Sequence, residues 1–180
     1  MNTLAAAPRP SARRLVVARR VPPAVAERAT RDFDAWITDH DLGVDETIAA
    51  VIDHRADAVL IGHKANFAAP DMPRLPDHLK IIANASAGFE HMDVAAAKAR
   101  GMVVTNAPNA LTDCTADQTM LLMLAACRGT KASTEIMREG WGRSFGMPDN
   151  LGKRVSGSIL GIAGMGRIGR AVAARARAFG

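Results

Sequence analysis

The stretch Ser158-Ile-Leu-Gly-Ile-Ala-Gly-Met-Gly-Arg-Ile-Gly-Arg-Ala-Val-Ala-Ala-Arg-Ala176 decides how the chain is read. Its apolar opening, Ile159 to Ala163, reads as a buried strand. Gly164, Gly166 and Gly169 follow as a G-x-G-x-x-G. Beyond them Ile168, Val172 and Ala176 recur at helical spacing. Strand, glycine turn and helix together are the context in which this motif binds a dinucleotide. Each glycine has its own task. Gly164 permits the tight turn, Gly166 lets the backbone approach a pyrophosphate, and Gly169 lets helix pack on strand. Free N–H groups at the helix start, at Arg167 and Ile168, are placed to hold the phosphates. The plainer alternative, a Gly-rich turn without a ligand, does not explain why all three glycines fall in register. The acidic residue that would hold a ribose hydroxyl, ~20 residues further on, would lie past Gly180. The chain therefore reads as a protein cut at the start of its nucleotide domain.

Composition narrows the class. The 180 residues are 48% hydrophobic, enough for a core, and no apolar run reaches membrane-spanning length. The net charge of +5 raises the question of nucleic acid. Its distribution argues against it. Residues 1–20 and 151–180 carry arginine and lysine and no acid, so all 18 acidic residues fall between them. A basic tail and a phosphate-facing segment account for the excess. With 4% aromatics and no tyrosine there is also little to stack on bases. The two cysteines, Cys114 and Cys127, fall in one helix with neither metal nor disulfide spacing, and read as buried thiols of a cytoplasmic protein.

Upstream, helices alternate with strands. Met1 to Arg14 is an Ala/Pro/Arg-rich tail without a signal-peptide core. Leu15–Ala18 is a first strand, followed by a helix opened by Pro22 and Pro23 and running to about Asp32. Ala35–Thr38 is a second strand. Asp45 is expected to cap the helix of Ile48, Val51 and Ile52. Ala58–Gly62 is an apolar third strand and Lys80–Ala85 a fourth. A helix from His91 to Arg100 ends at Gly101, and Met102–Asn106 is the fifth strand. This pattern specifies βαβ units and a parallel sheet. Thr112–Arg128 is the longest helix. Thr115-Ala-Asp-Gln118 has capping-box form, and Met120-Leu-Leu-Met-Leu-Ala-Ala is apolar all round, which predicts burial between domains. A helix over Lys131–Glu139 then leads into a loop, Gly140–Pro148.

Three further segments carry a resemblance: Asn84-Ala-Ser-Ala-Gly-Phe-Glu-His-Met-Asp-Val, Arg100-Gly-Met-Val-Val-Thr-Asn-Ala-Pro and Leu111-Thr-Asp-Cys-Thr-Ala-Asp. With the glycine turn in its usual place after them, the chain from Leu15 to Gly180 resembles the D-isomer-specific 2-hydroxyacid dehydrogenases, and within them the glyoxylate and hydroxypyruvate reductases. The resemblance implies a flavodoxin-like parallel-sheet substrate domain, followed by the first βα unit of a truncated Rossmann domain, with the active site in a cleft. The divisions are a tail over 1–14, a substrate (catalytic) domain over 15–110, interdomain helices and loop over 111–150, and the start of the NAD(P)-binding domain over 151–180. It implies NAD or NADP as cofactor, a small 2-oxo or 2-hydroxy acid as substrate, and a homodimer at full length, with neither nucleic acid nor membrane as partner. Backbone N–H groups of Ala87 and Gly88 would hold the substrate carboxylate. Gly88 also follows the fourth strand, where ligands of open α/β sheets sit; a plain turn glycine is the alternative. Thr115 would face the nicotinamide, with simple capping as its alternative, and Asn106 and Pro108 would shape the crossover.

Reduction of a 2-oxo acid by hydride also needs a proton donor, a cation at the carboxylate and a carboxylate that orients the donor. The family supplies these as histidine, arginine and glutamate in a later region, so none is nominated here and the 180-residue chain is expected to be inactive. His40, His54, His63 and His78 read as solvated, and His91 as capping or packing its turn. The rival function is a non-catalytic, corepressor-like module that senses NAD(H) or binds protein on the same fold.

Overall fold

The computed structural model describes residues 13–142 and 146–180. Most of the expected tail, residues 1–12, and Arg143–Phe145 of the expected loop lie outside the described residues. The chain divides into two compact units, one ending at Pro108 and the other running from Asn109 to Gly180.

The first unit is a five-stranded parallel sheet: β1 (Arg14–Val17), β2 (Asp34–Ile37), β3 (Ala58–Ile61), β4 (Ile81–Asn84) and β5 (Val103–Thr105), in the order β2-β1-β3-β4-β5. The helices α1 (Pro23–Asp32), α2 (Val44–Asp53) and α3 (Val94–Ala99) make the crossovers, with a 3₁₀ turn at Ala69–Arg74. Register explains the core. Val16 pairs with Val59, Val59 with Ile82 and Ile82 with Val104, a row that runs across the sheet on one face. Ile48 and Val51 of α2, Ala97 of α3, Met72 and Phe67 close over that row. Right-handed crossovers put α1 on the opposite face from α2 and α3, because the chain steps the other way from β1 to β2. The second face is thinly covered beyond β3, and Ile81 and Val103 are 40% and 55% exposed.

Local signals differ from expectation at two helix starts. Asp45 does not cap α2. Gly43 is the cap residue, and its N–H donates to Glu46 Oε2 at 2.8 Å. Asp45, one position into the helix, pairs instead with Arg74. Asp93 caps α3 by accepting from the Ala96 N–H at 2.8 Å, so His91 is not a cap and the helix is shorter than its sequence suggested. Gly101 follows with φ of 74°, a left-handed turn that suits glycine.

The second unit is helical: α4 (Thr112–Cys127), α5 (Thr130–Arg138) and α6 (Arg167–Ala176), with a final 3₁₀ turn at Arg177–Phe179. Four expectations fail here. Thr115 lies inside α4 and its N–H donates to Leu111 O, so the helix starts too early for the capping box to operate. Helix α4 is not buried. Only Ala116 and Met120 are, while Leu121 and Leu122 are 59% and 60% exposed. Cys114 on it is exposed as well, against the buried thiol expected. Ile159–Ala163 forms no strand, and Ile159 is fully exposed. A strand needs a partner for its N–H and C=O groups, and the described residues of this unit offer none.

What holds the unit is α4 against α6. Val172 packs on Ala116 and Met120, with Ile162 and Phe179 at the margin. Arg175 donates to Asp117 at 2.6 Å and Asp113 at 3.1 Å. Because the cluster is small, Val172→Ala should lower the unfolding free energy by about 1.5 kcal/mol, the transfer value of two buried carbon groups. Circular dichroism during thermal unfolding checks this, and an unchanged midpoint would show that the α4–α6 contact adds no stability. No helix among the described residues is long and apolar enough to cross a membrane.

Candidate functional site

The loop after β4 has an unusual division of its backbone groups. Every carbonyl from Ala85 to Gly88 is engaged. Ala85 O accepts from Arg19 Nη1 at 3.1 Å, and Ser86 O from the Ala107 N–H at 2.9 Å. Ala87 O accepts from Asn106 Nδ2 at 2.8 Å, and Gly88 O from Asn84 Nδ2 at 2.7 Å. By contrast, the N–H groups of Ser86, Ala87 and Gly88 have no acceptor among the described residues. Carbonyls pinned back and N–H groups left free make a local concentration of positive dipole ends, the arrangement that receives an anion.

The anchors come from four strand ends. Arg19 follows β1, Asn84 closes β4, Asn106 follows β5, and Gly62 follows β3. Gly62 makes room for the arginine, since a Cβ there would lie 3.0 Å from Arg19 Nη1 and 3.2 Å from its Cζ. All four lie at the carboxyl edge of the parallel sheet. The order β2-β1-β3 puts a topological switch point between β1 and β3, where open α/β sheets take ligands. At Gly88 an added Cβ would run into the Glu90 carboxylate, a flexible group able to move aside.

His63 was expected to be solvated. It is exposed, but its Nε2 lies 3.0 Å from Ser86 Oγ, and its ring meets the edge of His91 at 4.8 Å between centroids. Both His91 ring nitrogens are buried without a partner among the described residues. Burial, then the neighbouring His63, hold the His91 imidazole below its ordinary titration range, with Glu90 pulling the other way. His91 is therefore a packing ring whose neutral form is favoured. Arg19, Asn84 and His63 were missed as site residues. For Arg19 and His63 the available signal was position, each lying just past the end of an apolar strand.

The glycine turn is the second candidate. Gly164 has φ of 97°, which a side chain would strain. A Cβ on Gly169 would collide with the Gly164 carbonyl, so that glycine serves close packing. Gly166 is different. Its φ of −74° suits any residue, and no atom of the described residues lies within 4 Å of an added Cβ. The space beside it is open. It is the cap residue of α6, so the N–H groups of Arg167, Ile168 and Gly169 in the first turn have no helical acceptor. Thr115 is exposed on α4, where its carbonyl accepts from Thr119 Oγ1 at 2.7 Å.

Comparison with known proteins decides the family. The model of the D-isomer specific 2-hydroxyacid dehydrogenase catalytic domain matches residues 15–179. The chain belongs to the D-isomer specific 2-hydroxyacid dehydrogenase family. Among its relatives, glycerate dehydrogenase of Hyphomicrobium methylovorum is 32% identical over 171 residues, covering 94% of this chain and 52% of that enzyme. Glyoxylate reductase of Thermococcus kodakarensis is 36% identical over 166 residues, covering 90% and 43%. Among solved structures, the NADPH-dependent glyoxylate/hydroxypyruvate reductase of Sinorhizobium meliloti, in complex with NADP and malonate, superposes with a TM-score of 0.75. It is 30% identical, over 94% of this chain and 51% of that one. The chain thus spans about half the length of the dehydrogenases it matches.

Proposed function

We propose that this chain is the substrate-binding part and the opening of the nucleotide-binding part of an NAD(P)H-dependent 2-oxo acid reductase, of the glyoxylate or hydroxypyruvate reductase kind. Residues 15–110 form the substrate domain, 111–150 the connecting helices and loop, and 151–180 the start of the dinucleotide domain. The reading is carried by the loop after β4, whose carbonyls are all held and whose Ser86, Ala87 and Gly88 N–H groups have no acceptor among the described residues. A carboxylate there accepts from Ala87 and Gly88, and so the oxo acid is fixed by the end that does not react.

The glycine turn fits a dinucleotide. Open space at Gly166 and the free N–H groups of Arg167, Ile168 and Gly169 would hold its pyrophosphate. Thr115, exposed near the start of α4, is proposed to lie toward the nicotinamide. When bound, NADH or NADPH supplies the hydride. This chain's own residues bind and orient. The cation, the proton donor and the carboxylate that orients it are proposed to come from residues beyond these 180, and a homodimer is proposed for the full-length protein. The relatives named above as glycerate dehydrogenase and glyoxylate reductases support the substrate class. Two free thiols support a reducing, cytoplasmic setting.

The 180-residue chain mixed with glyoxylate or hydroxypyruvate and NADH or NADPH should therefore show no turnover by cofactor absorbance. Steady oxidation of either cofactor would mean that a proton donor lies within these residues, and would overturn this division of labour.

A further inference from the structure

A side chain outside the carboxylate loop is placed to control it. Ser86 supplies one of the three free N–H groups, and its buried hydroxyl faces His63 Nε2 at 3.0 Å. His63 follows β3, at the switch point of the sheet.

We propose that His63 is a positioning residue of this loop: its imidazolium form donates from Nε2 to Ser86 Oγ, which frees the Ser86 hydroxyl proton for the bound carboxylate. The inference rests on the carboxylate reading of Ser86–Gly88 above. With a neutral ring whose Nε2 carries the lone pair, Ser86 spends its one hydroxyl proton on the imidazole. When the ring takes a proton from water, both its nitrogens become donors. Nε2–H then points at Ser86 Oγ, the hydroxyl turns its own proton away from the ring, and a positive charge stands beside three free N–H groups. Each change favours an anion.

The other charged groups around His63 frame the effect. Arg19, from the end of β1, is a fixed cation whose Nη1 is on Ala85 O. Lys64, the next residue, reaches away to Asp41 O at 2.7 Å, and the Asp41 carboxylate accepts from the Arg20 N–H. Glu90 lies against Gly88 and acts on the charge of the neighbouring His91. His91 meets the His63 ring edge-on, and burial, then His63, disfavour its charged form. His63 is then the imidazole of this cluster that lies within hydrogen-bond reach of the Ser86 hydroxyl.

The test is oxamate, an unreactive carboxylate, titrated into the ¹⁵N-labelled 180-residue chain at pH ~5.5 and pH ~8, the span over which imidazoles change charge. Binding should be about three- to ten-fold tighter at the lower pH, the size of one exposed charge and one hydrogen bond. His63→Gln should remove that ratio, Ser86→Ala should reduce it, and His78→Asn, at the other end of β4, should keep it. In the unaltered chain, saturating oxamate should move the His63 ring-proton titration to higher pH, a readout that needs no variant. A pH ratio that survives in His63→Gln, or a His63 titration that oxamate leaves in place, overturns the proposal while the loop amides still report binding. If the Ser86–Gly88 amides ignore oxamate at both pH values, the carboxylate reading fails, and this inference with it.

Discussion

Gly166→Ala should cost the chain no more than about 1 kcal/mol of stability, the loss of a glycine cap, and weaken NADH and NADPH binding by at least about tenfold, roughly 1.4 kcal/mol. Two facts about the position produce this pairing. Its φ of −74° is one that alanine adopts freely, and an added Cβ would meet no atom within 4 Å. No demand of the fold therefore requires glycine at 166. What remains is room for a pyrophosphate against the backbone, and a methyl group occupies that room. Gly169→Ala should behave in the opposite way. Its Cβ collides with the carbonyl of Gly164, whose φ of 97° leaves that backbone little freedom to retreat. The expected loss is about 1–3 kcal/mol of stability, the usual cost of overpacking. Thermal unfolding of the 180-residue chain reads the stability arm. Calorimetric titration reads the binding arm, in a protein extended to the length of its relatives. Affinity for both cofactors left unchanged by Gly166→Ala would remove the dinucleotide assignment of the turn.

Asn84→Asp should cost about 3 kcal/mol at neutral pH, in the range for an unpaired buried charge. The side chain is 3% exposed and closes β4, with Nδ2 donating to Gly88 O at 2.7 Å. A carboxylate there loses the donor and sets oxygen against oxygen. Burial raises the pKa of such a carboxyl in the folded chain. The folded variant then holds more protons than the unfolded one at pH values above ~3.9, the unfolded carboxyl's value, so its stability falls as pH rises. The deficit relative to the unaltered chain should therefore shrink toward acid pH, where the protonated carboxyl can donate to Gly88 O as the asparagine amide does. Urea unfolding of both proteins at pH ~7 and pH ~4.5, on either side of a raised carboxyl pKa, measures it. A deficit that is the same at both would mean that Asn84 Nδ2 does not hold the loop. Oxamate affinity should fall in the same variant, since Gly88 O is the last of the four pinned carbonyls.

Much of the sheet is readable from local pattern. The run Ala58-Val-Leu-Ile is apolar at every position, as a strand between two parallel neighbours should be, and β3 lies there. Gly101 marks the end of α3 because its left-handed backbone favours glycine. Failures occur where the outcome depends on distant chain. Ile159–Ala163 has the composition of a strand but finds no neighbour to pair with. Helix α4 has the composition of a buried helix, yet Leu121 and Leu122 meet solvent. Position alone marks Gly88, just past an apolar strand. Its supports cannot be read that way. Arg19, Asn84 and Asn106 come from β1, β4 and β5, and only the register of the sheet brings them to one loop. The cap at Gly43 escaped for a smaller reason: the carboxylate that serves it belongs to Glu46, inside the helix, and not to the nearer Asp45.

The central claim is that the backbone N–H groups after β4 hold a 2-oxo acid by its carboxylate. Amide shifts of the ¹⁵N-labelled 180-residue chain, recorded while oxamate is added at a single acid pH, test it most directly. The account predicts that the Ser86, Ala87 and Gly88 amides shift together, saturate with one dissociation constant and form the largest cluster of change in the spectrum. Saturating shifts elsewhere in the chain, with these three amides unmoved, would contradict it.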